Sequence, residues 1–85
     1  NERIKLFPNP VSTGNLFIQF KEQSNSNFLL QIINAQGRII QQELYNKPTG
    51  TATKQIRVNA LPSGKYLLVV YKNGEHYSTQ DFIKQ

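Results

Sequence analysis

Apolar residues recur at every second position in short runs along this chain, and clusters of Pro, Gly, Asn and Ser separate the runs. Leu16, Ile18 and Phe20 form one such set; Phe28, Leu30 and Ile32 form another; Tyr66, Leu68 and Val70 form a third. A period of two places alternate side chains on the same face of an extended strand. No window carries apolar spacings of three and four over a helix's length, so helices are not predicted. Strands are predicted over residues 3–7, 16–20, 28–34, 38–44, 54–58, 65–72 and 75–84. Pro8-Asn9-Pro10 stops the first, because proline fixes φ and removes a backbone donor. Asn34-Ala35-Gln36-Gly37 reads as a hairpin loop, and Asn73-Gly74 as a two-residue turn whose residues both reach positive φ.

Seven short strands must each bury one face, and two packed sheets do so with least chain. The expected fold is therefore all-β: a seven-stranded antiparallel β-sandwich, immunoglobulin-like. Its predicted core is Leu16, Ile18, Phe20, Phe28, Leu30, Ile32, Ile40, Ile56, Val58, Leu61, Tyr66, Leu68 and Val70. The cysteines and tryptophan of antibody domains are missing, since the chain has neither residue type, so the likeness to them is one of architecture.

Length limits what such a sandwich can hold. A chain of 85 residues makes one domain with a thin core and no room for a deep pocket as well. Ten Lys+Arg against five Asp+Glu give a net charge of +5. These charges are dispersed along the chain, which suits a solubilising coat and not a specific nucleic-acid site. No apolar run approaches the roughly 18–20 residues that cross a bilayer, so membrane insertion is not expected. The chain opens on Asn1 and contains no Met, and it reads as one domain, residues 1–85, excised from a larger protein.

Candidate chemistry is sparse. The single histidine, His76, has no cysteine to join it, and Glu2, Glu22, Glu43, Glu75 and Asp81 lack ligand spacing. Glu75, His76 and Asp81 lie near one another in sequence, but nothing marks an activated nucleophile beside them. The glycines fall at turns and form no phosphate loop. Tyr45, Tyr71 and Tyr77 read as cross-strand packing before they read as a stacking platform. No catalytic residue, cofactor or metal is expected, and the chain is not read as an enzyme.

The order of its motifs says more. Leu6-Phe7-Pro8-Asn9-Pro10 opens the chain, and Asn34-Ala35-Gln36-Gly37 follows a central strand. Leu61-Pro62-Ser63-Gly64-Lys65-Tyr66 enters the strongest strand, and Asp81-Phe82-Ile83-Lys84-Gln85 closes the sequence. This series resembles the type A C-terminal sorting domain of the type IX secretion system of Bacteroidetes, over residues 4–85. Phe7 stands where that family often has Tyr. The resemblance implies a non-catalytic sorting signal that directs an N-terminal cargo across the outer membrane. It implies an outer-membrane translocon and a cell-surface sortase as partners. The route would run through the periplasm to the surface or the medium, with removal of the domain at the surface and release of cargo or its attachment to lipopolysaccharide. Its recognition residues would be Pro8, Asn9, Pro10, Asn34, Gly37, Leu61, Gly64, Tyr66, Phe82, Ile83, Lys84 and Gln85.

Residues 77–85 are expected to form an open sheet edge that a partner docks by strand addition. Deleting residues 82–85 is then expected to leave the sandwich folded. The same edges would let the isolated domain pair with itself as a homodimer. The fold alone also suits a fibronectin- or immunoglobulin-like spacer, or a glycan-binding adhesion module of a bacterial surface.

Overall fold

Each alternating run becomes a strand in the computed structural model, which describes residues 3–85. The strands are β1 (Ile4–Phe7), β2 (Asn15–Phe20), β3 (Ser26–Ile33), β4 (Ile39–Lys47), β5 (Ala52–Arg57), β6 (Gly64–Lys72) and β7 (Glu75–Lys84). They form two antiparallel sheets, ordered β1-β2-β5 and β4-β3-β6-β7. The expected all-β immunoglobulin-like sandwich is the fold.

Register explains the core. Ile18 lies opposite Leu6 in the small sheet, and Leu16 opposite Ile56. In the large sheet Leu30 faces Val70, and Ile32 faces Leu68. These rows meet between the sheets and are buried. Phe20 and Phe28 pack ring to ring at 4.6 Å between centroids, and Tyr77 meets Phe28 edge-on at 5.2 Å. Ile4, Leu6, Val11 and Phe82 join the same cluster, although periodicity had not placed them there.

Ile40 does not belong to the core and is 38% exposed. The β3–β4 pairing shifts between Ile32 and Ile33: Ile32 faces Gln41, whereas Ile33 faces Ile39. Ile40 is thus the extra residue of an irregularity of the β-bulge kind, which re-aims its side chain.

Strand β4 also continues to Lys47, past the predicted end at residue 44. Its Tyr45 ring packs on Phe20 at 5.5 Å, which pulls this stretch against the core. The Lys47 side chain is buried, and its Nζ donates to the carbonyls of Ser24 (2.9 Å), Pro48 (2.7 Å) and Gly50 (2.6 Å).

Antiparallel connectivity gives the sandwich two poles. One gathers the ends of β1, β3, β5 and β7 with the starts of β2, β4 and β6; Val11–Lys84 pairing and a Gln41-to-Arg57 bond tie the sheets there. The other holds the loop before β3, the turn after Lys47 and the Asn73–Gly74 hairpin. Lys47 and a 2.7 Å Lys72–Glu22 ion pair cross-brace that second pole.

Candidate functional site

The motif residues, scattered along the sequence, gather at the first pole. Pro8 and Pro10 have no N–H, so β1 cannot run on as a regular strand, and residues 8–10 bend away. The Phe7–Pro8 and Asn9–Pro10 peptide bonds are both cis. The bend carries Asn9 and Val11 onto the outer edge of β7. There the Asn9 side chain accepts from the Ile83 N–H at 3.0 Å and donates to the Asp81 carbonyl at 3.4 Å. The Val11 N–H donates to the Ile83 carbonyl at 2.7 Å, and its carbonyl accepts from the Gln85 N–H at 2.8 Å. At the far end of the strand, the Arg3 guanidinium donates to the Tyr77 carbonyl at 3.2 Å.

These contacts correct the expectation of an open edge over residues 77–85. Strand β7 is an edge by sheet order, but its outward backbone is occupied at Tyr77, Asp81, Ile83 and Gln85. Arg3, Asn9 and Val11 cover it at those positions.

Behind this edge stands a tyrosine corner. The Tyr66 hydroxyl donates back to the Pro62 carbonyl, fixing the loop that enters β6. Leu61 is buried beneath that loop, and Gly64 pairs with Lys84. The Tyr66 ring stacks on Phe82 at 5.6 Å, so the corner and the end of β7 share one aromatic contact. Next to it lies the 34–37 hairpin. Asn34 Oδ1 accepts from the N–H groups of Gln36 and Arg38, both at 3.0 Å, and Gly37 takes φ +83°, which suits a residue without Cβ. Asn34 and Tyr66 line a shared shallow hollow.

The predicted recognition residues thus fall into two groups. Leu61, Tyr66 and Phe82 are buried and contact the core, so they build the pole. Pro8, Asn9, Pro10, Gly37, Gly64, Ile83 and Gln85 are exposed, with Asn34 and Lys84 half-buried. Val11, which sequence reading passed over, is fully buried and anchors the corner. It is a lone apolar residue between Pro10 and Ser12, and one residue carries no periodicity. Lys65 and Asp81 add an exposed ion pair at 3.5 Å on the same pole.

His76 lies at the opposite pole. Its Nε2 meets Thr79 Oγ1 at 2.8 Å, and its ring stands edge-on to Tyr71. Arg3, Glu22, Lys72, Glu75, His76 and Tyr77 line an open hollow of about 260 Å³ there. The hydrogen bond from Lys72 holds the Glu22 carboxyl below the usual carboxylate range. Burial, and then the nearby Glu22 charge, push the Tyr77 hydroxyl above its ordinary value. Among the described residues, no three His, Cys, Asp or Glu side chains are grouped to hold a metal.

The chain is thus a small immunoglobulin-like sandwich with its motif residues assembled at one pole. The chain matches the secretion system C-terminal sorting domain over residues 5–85, and it belongs to that family. It is a C-terminal sorting signal of the type IX secretion system, the export route of Bacteroidetes. No curated protein compared with the chain matches it.

Proposed function

We propose that the motif pole is the face which the secretion machinery reads, and that the domain acts as a label and not as a catalyst. A sorting domain of this family is linked to an N-terminal cargo and engages that machinery, which exports it toward the outer membrane or beyond. The carrying observation is the convergence of four separated stretches on one pole, with Asn9 and Val11 bonded to the last residues of β7. Ile83, 47% exposed, and Gln85 stand on that surface. Arg3 lies at the opposite pole, beside Tyr77, so a cargo joined before it leaves the motif pole uncovered. The reader at this face is an outer-membrane translocon, and a sortase at the cell surface acts after passage.

The test is a reporter with an ordinary export signal, fused to this domain and expressed in a strain with type IX secretion. Ile83→Asp should trap the reporter in the periplasm. Leu44→Asp, at a more exposed apolar residue (78%) on β4, should not. Retention by the Leu44 variant with normal export of the Ile83 variant would place the reading surface elsewhere.

A further inference from the structure

Val11 and the end of β7 form a parallel bridge, with the Val11 N–H on the Ile83 carbonyl and the Gln85 N–H on the Val11 carbonyl. A parallel ladder carried two residues further back would put an N–H on the Asp81 carbonyl and a carbonyl on the Ile83 N–H. Residue 9 stands at that ladder position, within the bend between two prolines. Its side chain makes both bonds: Nδ2 donates to the Asp81 carbonyl at 3.4 Å, and Oδ1 accepts from the Ile83 N–H at 3.0 Å.

We propose that the Asn9 carboxamide mimics a peptide group, extending the ladder past the proline bend, and is the positioning residue for the C-terminal segment read in export. The second half rests on the reading of the motif pole given above. The chemistry selects asparagine. A carboxamide has a donor and an acceptor with the spacing of a peptide group, whereas Asp has acceptors only and would set a carboxylate against the Asp81 carbonyl. Alanine supplies neither. With the ladder complete, the outer backbone of β7 at Asp81, Ile83 and Gln85 is spoken for. The machinery therefore meets Ile83 and Gln85 as side chains on a held strand, not as a backbone edge to be paired.

The experiment uses the whole domain in the reporter fusion, with Asn9→Ala, Asn9→Asp and, as control, His76→Ala. His76→Ala also removes a side-chain bond on β7, that with Thr79 Oγ1 at 2.8 Å, but one at the opposite pole. Hydrogen exchange at the Ile83 amide should accelerate about tenfold in Asn9→Ala, the loss of one typical hydrogen bond, and less in Asn9→Asp, which keeps the acceptor. It should not change in His76→Ala. Export should fall several-fold in Asn9→Ala, and stay at the wild-type level in His76→Ala at a comparable melting temperature. Unchanged exchange in Asn9→Ala would overturn the ladder mimic. Faster exchange with normal export would overturn the positioning role. A wild-type fusion that stays in the periplasm would refute the reading of the pole, and the exchange measurement would still decide the ladder.

Discussion

Lys47 carries a charged group into a site only 2% exposed, a position that ordinarily favours an apolar residue. The ammonium is tolerated because its three protons meet three carbonyls, those of Ser24, Pro48 and Gly50. One side chain thereby ties the loop before β3 to the turn after β4. Lys47→Met keeps the stem and removes the donors, and should lower the unfolding free energy by about 2 kcal/mol in a urea titration. Leu44→Ser, at a side chain 78% exposed, should change it by less than about 0.5 kcal/mol. Neither role was legible in the sequence. Lys47 precedes Pro48 and reads as a turn residue, and alternation counts every lysine as outward. At Gly14 the reason for glycine is also tertiary. A Cβ there would lie 2.8 Å from Asn59 Cβ, a close approach no local turn rule could show.

Among the elements, β7 departs most from its sequence reading. The sequence places Phe82 in an open docking edge, yet its ring is fully buried and stacked on Tyr66. Deleting residues 82–85 should therefore unfold the sandwich or leave it marginal, contrary to the expectation that the truncated sandwich stays folded. Phe82→Ala alone should cost about 3–5 kcal/mol, read from chemical denaturation. A truncation restricted to residues 84–85 spares that ring and is the cleaner probe of export. The junction of the β2–β3 loop with the end of β6 is instead electrostatic. Glu22 is bonded to Lys72, which depresses its folded-state pKa, so its stabilisation is present above the ordinary carboxylate value. It is lost as pH falls through the depressed value, because the unfolded chain takes up the proton first. The melting temperature should drop as pH falls below the ordinary carboxylate value of about 4.5, and Glu22→Gln should flatten that part of the profile.

The molecule as a whole is a sandwich closed differently on its two flanks. Between β1 and β7 the closure is a ladder of backbone and backbone-like bonds through Asn9 and Val11. Between β4 and β5 it is made by side chains, among them the Glu43–Lys54 ion pair and the Gln41 bond to Arg57. Partly exposed ion pairs contribute little and are screened by salt. Amides of β4 that face away from β3 should exchange faster than those of Ile83 and Gln85, and the gap should widen with added salt. Equal protection on both flanks would contradict this asymmetry.

Strand number, strand faces and most of the core followed from the sequence by itself, because period-two alternation is a local property of an extended chain with one dry side. The family was legible for a related reason: its turn and strand-entry motifs are short, ordered words. Tertiary structure alone decided the rest. The bulge that expels Ile40 arises from a register shift between two strands, which neither strand encodes separately. The cover over β7 joins residues 72 and 74 positions apart, Asn9 with Asp81 and Ile83. Such bonds depend on how the two sheets dock, so nothing in the local pattern of either end announces them.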